Sequence, residues 1–161
     1  MKTFFIGDTH FGGFPNGLNT DNRPDIATMV KLWNSIVSED DIVYHLGDVI
    51  NSNYNLIDTR YIIEKLNGNK YLIMGNHDRH FTIDQWHAVG FSKVYDHPII
   101  VKGFVILCHE PLFITSKMPY LMAFAHVHDN PIYKTECDQA RCFSADRTEW
   151  MPACWDKYDV L

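Results

Sequence analysis

Short apolar runs, each closed by a glycine or a carboxylate, punctuate the first half of the chain. Thr3 to Ile6, Ile42 to Leu46 and Lys70 to Met74 combine β-branched, aromatic and leucine residues over strand-sized lengths. Between them Ile26, Met29, Val30, Trp33, Ile36 and Val37 recur at three-and-four spacing, which predicts an amphipathic helix with Pro24 and Asp25 in its first turn. Asp58 to Leu66 gives a second, weaker helical pattern, closed by Asn67 and Gly68. Thr82 followed by Gln85 fits a capping box and opens a third helix that ends before Gly90.

Beyond Phe91 the period changes. Ile99 to Val101, Phe104 to Cys108, Leu121 to Phe124 and Cys142 to Ala145 read as extended segments, and Gly103 sits like a hairpin turn between the first two. Strand and helix alternating in the first half predict parallel βαβ units, and the strand-rich second half predicts another sheet. The expectation is an α/β fold of stacked sheets flanked by helices. With no repeat, low-complexity segment or long linker, the 161 residues read as a single domain over 1–161.

Composition narrows the class. Hydrophobic residues make up 46% and charged residues 21%, which places the chain among globular proteins rather than disordered or membrane ones. The opening apolar run is interrupted by Asp8 and His10 before a secretory signal would be complete, so it reads as the first strand. Four cysteines, Cys108, Cys137, Cys142 and Cys154, in a chain with this much core read as reduced thiols of a cytoplasmic protein. A net charge of -6 weighs against a broad footprint for duplex nucleic acid. Bound divalent cations would still turn a locally acidic pocket positive.

The polar residues that follow the strands are of metal-binding type. Asp8 and His10 lie in "GDTH", Asp48 in "HLGD", Asn76 and His77 in "GNHD", His109 in "LCHEP", and His126 and His128 in "AHVH". Asp8 and His10 are two apart, so in an extended chain both side chains leave one face and reach one ion. His126 and His128 repeat the spacing, and their separation of roughly 6 to 7 Å along a strand lets them straddle two ions about 3.5 to 4 Å apart. Asp48 can bridge. Donors of carboxylate, imidazole and amide type without thiolate suit Mn²⁺, Fe, Zn²⁺, Ni²⁺ or Mg²⁺. Cys108 is beside His109, but strand alternation turns it to the opposite face.

Taken together, "GDTHFGG", "YHLGDV", "MGNHDR", "LCHEPL" and "AHVHDN" resemble, in order, the five motifs of the calcineurin-like metallophosphoesterases. The small bacterial and phage members that open with DTHFGH are the most similar, and "FSADRTEWMPACWD" resembles their closing strand. The resemblance implies a two-sheet β-sandwich flanked by helices, in four αββα layers, with a dinuclear site at the strand ends. It implies that Asp8, His10 and His128 hold one divalent metal, that Asn76, His109 and His126 hold the other, and that Asp48 bridges them. His77 takes the position of the catalytic histidine, and Asp78 is expected to orient it by accepting its second ring proton.

The implied activity is hydrolysis of a phosphate ester, first of all a phosphodiester of nucleotide type, by a hydroxide bridging the two ions. Alternatives are a phosphomonoesterase, a nuclease acting on single-stranded ends, and a protein-interaction module with a vestigial metal site. Two positions depart from the family pattern: Ala125 replaces the usual Gly before His126, and Gly13 replaces the closing His of DTHFGH. His45 reads as a core histidine, with support of Asp48 as the other option. Arg79 is a candidate for a substrate phosphate or a surface ion pair. Residues 13–24 are the expected substrate-facing loop. No membrane association is expected, and a homodimer is the default assembly.

Overall fold

The computed structural model describes residues 1–13, 23–133 and 137–159. Most of the expected substrate-facing loop therefore lies outside the described residues. The chain forms two four-stranded sheets, one from strands β1 (Thr3–Ile6), β2 (Ile42–His45), β3 (Asn69–Ile73) and β4 (Lys93–Tyr95), the other from β5 (Ile99–Val101), β6 (Val105–Leu107), β7 (Leu121–Phe124) and β8 (Ala140–Cys142). Every pairing in the first sheet is parallel. In the second, β5 runs antiparallel to β6 and the rest are parallel. Helices α1 (Ile26–Ile36), α2 (Leu56–Ile63) and α3 (Ile83–Ala88) supply the crossovers of the first sheet, and α4 (Asp156–Asp159) comes near the end. This is the α/β arrangement of two stacked sheets flanked by helices.

Strand alternation divides the core. In β1, Phe4 and Ile6 face the helices with Met29, Trp33, Ile62, Leu72 and Trp86, whereas Phe5 points between the sheets. In β6, Val105 and Leu107 face inward while Ile106 and Cys108 face outward, beneath Ile114 and Tyr120. Cys108 is thus turned away from His109, as alternation requires. Trp33 and Trp86 are almost wholly buried, each stabilising the fold by roughly 1.5–3 kcal/mol or more through apolar burial. Their indole N–H groups donate to Asn67 O and Asp78 O, both at 3.0 Å.

Local chemistry sets the element ends. Asp25 caps α1 by accepting from Thr28 N at 2.7 Å. Thr82 and Gln85 close the expected capping box on α3. Helix α2 runs from Leu56 to Ile63 rather than from Asp58 to Leu66, and its start is set by Asn55, which accepts from the backbone of both Ile57 and Asp58. Lys102 and Gly103, at φ 52° and 80°, form the turn between β5 and β6, two left-handed residues as a tight hairpin favours. Past β8, Ser144 bridges Gly7 in parallel and Ala153 bridges Phe5 in antiparallel, so the chain after the second sheet is sewn to β1 of the first. The parallel strands of both sheets consequently end at one shared rim.

Candidate metal centre

Every motif residue emerges from a strand end at that rim. Asp8 and His10 follow β1, Asp48 follows β2, Asn76 and His77 follow β3, His109 follows β6, and His126 and His128 follow β7. The chain there is not extended. Asp8, His10, Asp48, His126 and His128 have φ of 54°, 37°, 57°, 70° and 49°, the left-handed region that costs a non-glycine residue about 1–3 kcal/mol. The expectation that the paired residues share a face of an extended strand is therefore corrected: turns, not pleats, aim them. Interlocked backbone bonds hold the turns, with Asp8 N donating to Gly47 O at 2.9 Å, His10 N to Asp48 O at 3.0 Å and Ala125 N to His109 O at 3.0 Å.

Two donor groups result. Ligand atoms of Asp8, His10 and His128 lie within 4.8 Å of one another, as do those of Asp48, His109 and His126. In the second group His109 Nε2 is 3.0 Å from both His126 Nδ1 and Asn76 Oδ1. Asp48 Oδ2 stands between the groups, 3.4 Å from His109 Nε2 and 3.6 Å from His10 Nε2. Adjacent donors around an ion with bonds of about 2.1 Å are themselves separated by roughly 3.0 Å in octahedral and 3.4 Å in tetrahedral geometry. The distances fit either. Asp8 Oδ1 is buried and accepts no hydrogen bond from the described residues, which leaves a carboxylate oxygen for the first group. These residues could hold divalent metal ions.

The backbone around Asp48 requires glycine. A Cβ on Gly47 would fall 2.6 Å from Gly75 N and His109 Nδ1, and one on Gly75 would fall 2.3 Å from Asp48 Oδ1. Ala125, the departure from the family pattern, packs its methyl where a Cβ on Gly7 would come within 2.4 Å of it. Gly7 leaves the room that Ala125 fills, and Ala125 is fully buried between the sheets.

A shell of acceptors orients the donors. His109 Nδ1 donates to Leu46 O at 2.7 Å, which leaves Nε2 for the second group. His128 Nδ1 lies 3.0 Å from Asp146 Oδ2, and Asp8 Oδ2 accepts from His126 N at 2.7 Å and from Ser144 Oγ. Asp146 and Ser144 were not singled out from the sequence; their only signal was the run "FSADR" after an apolar strand.

Asp78 requires a correction. Its carboxylate does not serve the His77 ring but accepts the backbone N–H of Asp48 at 2.7 Å, Gly75 at 2.8 Å and Val49 at 2.9 Å. It is completely buried and ties the turn after β3 to the turn after β2. His77 is exposed, 5.3 Å ring to ring from His10, and its backbone N donates to Asp48 Oδ1 at 2.9 Å. His45 is a buried core histidine whose Nε2 meets Thr9 Oγ1 at 2.9 Å.

Charge follows this geometry. Burial pushes Asp8 up to about 6 against the pull of His128 and His109. Burial also lowers His10 to about 3, so its imidazole stays neutral. Burial opposes ionisation of both Asp48 and His109, but each outweighs it for the other: Asp48 is held at about 2 and His109 is raised to about 9. Arg23 sits over the Trp150 ring at 4.5 Å and donates to Thr9 O, placing a cation behind the first group.

Beside the second group a cleft of about 200 Å³ is walled by Asn76 and His109 and continues between Arg79, Asp96, His97, Glu110 and Leu112. No helix among the described residues is long and apolar enough to cross a membrane.

The calcineurin-like phosphoesterase family model matches residues 1–149. The chain is 30% identical over 133 residues to an uncharacterized protein of Methanocaldococcus jannaschii, MJ1445, covering 74% of this chain and 75% of that one. It is 37% identical over 82 residues to the Gene 66 protein of Mycobacterium phage L5, covering 48% of this chain and 40% of that protein. A crystal structure of a protein of unknown function from Aquifex aeolicus, AQ665, superposes with a TM-score of 0.73 at 24% identity, covering 98% of this chain and 97% of the other.

Proposed function

We propose that this chain, which belongs to the calcineurin-like phosphoesterase family, is a metal-dependent phosphoric ester hydrolase that cleaves a phosphodiester. The observation that carries the reading is the placement of Asp48 Oδ2 within 3.6 Å of His10 Nε2 and 3.4 Å of His109 Nε2, one carboxylate oxygen shared by two donor groups. Asp8, His10 and His128 would hold one ion, Asn76, His109 and His126 the other, with Asp48 between them. When bound, the two ions supply Lewis acidity that lowers the pKa of water and neutralises phosphoryl oxygens.

The rest falls to the chain's own groups. His77, exposed at the rim, protonates the leaving oxygen or donates to it, a role worth roughly 10² to 10⁴-fold in rate. Its backbone N–H on Asp48 Oδ1 keeps the other oxygen of that carboxylate directed toward the metals. Asp78 positions rather than reacts, since three amides occupy its carboxylate.

The cleft next to Asn76 and His109 supports the diester reading, because about 200 Å³ gives space to a second ester group. Its mixed Arg79, Asp96 and Glu110 walls suit a polar group bearing both donors and acceptors, such as a nucleoside. The test compares kcat/KM for bis-p-nitrophenyl phosphate and p-nitrophenyl phosphate at saturating Mn²⁺. Preference for the diester supports the reading, and a preference for the monoester overturns it in favour of a phosphatase.

A further inference from the structure

The two donor groups are supported differently. Behind the Asp8, His10 and His128 group runs the segment Ser144 to Arg147, and each of its residues makes at least one hydrogen bond inward. Ser144 Oγ donates to Asp8 Oδ2, and Ala145 N donates to Gly7 O at 2.8 Å. Asp146 Oδ2 accepts from His128 Nδ1 at 3.0 Å and from Asp129 N at 3.2 Å, while Arg147 Nε donates to His128 O at 2.5 Å. In the second group the His109 ring is fixed by Leu46 O, while Asp48 Oδ1 and Asp8 Oδ2 accept the backbone N–H groups of His77 and His126.

We infer that residues 144–147 form a clamp dedicated to one metal position, in which Asp146 is the positioning residue that fixes the His128 ring with its Nε2 toward the ion. This rests on the metal-dependent reading above. A proton on Nδ1, held by Asp146, leaves the lone pair on Nε2; loss of that acceptor removes the bond that keeps the proton off the ligating nitrogen. Asp146 belongs to neither donor group and acts on the first of them through His128. His10 stacks against the same ring, with 5.4 Å between centroids and 19° between planes, so rotation of His128 also disturbs its neighbour.

Loss of such an outer carboxylate typically weakens metal binding about 10 to 100-fold. The experiment titrates Mn²⁺ into metal-free wild type, Asp146→Ala and Asp146→Asn, counting bound ions and recording electron paramagnetic resonance. Wild type is expected to take up two ions with a spin-coupled signal. Asp146→Ala should keep one at wild-type affinity, weaken the other about 10 to 100-fold and show the uncoupled spectrum of a single ion. Asp146→Asn, whose amide oxygen still accepts from Nδ1, should recover the coupled signal.

Equal affinity for both ions in Asp146→Ala, equal weakening of both, or an Asn variant no better than Ala would overturn the inference. A second measurement needs no variant: in zinc-loaded wild type, nitrogen-15 spectra should place the His128 proton on Nδ1, and a proton on Nε2 would contradict the clamp. Two ions bound without phosphoesterase activity would refute the proposed function and leave this inference standing. Wild type that takes up no manganese would overturn both.

Discussion

Replacing Asp78 separates two roles that a carboxylate beside a catalytic histidine can play. Its oxygens accept the buried N–H groups of Asp48, Gly75 and Val49 at 2.7, 2.8 and 2.9 Å, and no other described residue does. Leaving one buried donor unsatisfied costs about 1–3 kcal/mol, so Asp78→Ala should lower the unfolding free energy of the metal-free protein by at least about 3 kcal/mol. Asp78→Asn retains one oxygen. Oriented to keep the Asp48 and Gly75 bonds, which share Oδ2, it loses only the Val49 bond and should cost about 1–3 kcal/mol. Urea unfolding of the metal-free proteins, extrapolated linearly, measures both. Stability within about 1 kcal/mol of wild type for the Ala variant, with only turnover reduced, would refute the bracing role and favour a carboxylate that serves the His77 ring.

Other consequences follow from the same geometry. His77→Ala should lower kcat by roughly 10² to 10⁴-fold with bound metal nearly unchanged, read by kinetics beside elemental analysis. Gly75→Ala places a methyl 2.3 Å from Asp48 Oδ1 and should displace that carboxylate, so equilibrium dialysis should show weakened uptake of metal while the secondary structure seen by circular dichroism persists. Because Asp48 and Asp8 keep His109 protonated up to about pH 9 in the metal-free protein, an ion entering the second group must displace a proton. Its affinity should therefore rise about tenfold per pH unit from pH 7 and level off above about 9, and a flat calorimetric profile would contradict that protonation.

The sequence made the first half of the fold legible because its signals are local. The three-and-four spacing of Met29 and Trp33 and the Thr82/Gln85 capping box report on the helix that carries them. Strand β4, at three residues and only partly buried, carries too little pattern to be read that way, and β8 (Ala140–Cys142) shares only Cys142 with the expected strand Cys142 to Ala145, whose last residue opens a 3-10 turn instead. The site residues were legible by type and order, since Asp8, His10, Asp48, Asn76, His109, His126 and His128 are all brought to one rim. Left-handed turns rather than extended strands aim them, a backbone state that alternation along an apolar run does not report. What holds them was hidden altogether. The pairing of Asp146 with His128, and of Asp78 with three amides across 3 to 30 residues of sequence, is set by tertiary approach and leaves no periodic trace.

In the proposed function, Asp48 Oδ2, 3.6 Å from His10 Nε2 and 3.4 Å from His109 Nε2, joins two metal positions into one hydrolytic centre. The direct test strips metal with a chelator, restores Mn²⁺, and follows bis-p-nitrophenyl phosphate hydrolysis together with bound manganese in wild type and Asp48→Asn. Activity should disappear on chelation, return with two ions per wild-type chain, and stay absent in the variant as its metal content falls. Hydrolysis that survives chelation, or an Asp48→Asn protein that keeps both ions and full activity, would contradict it.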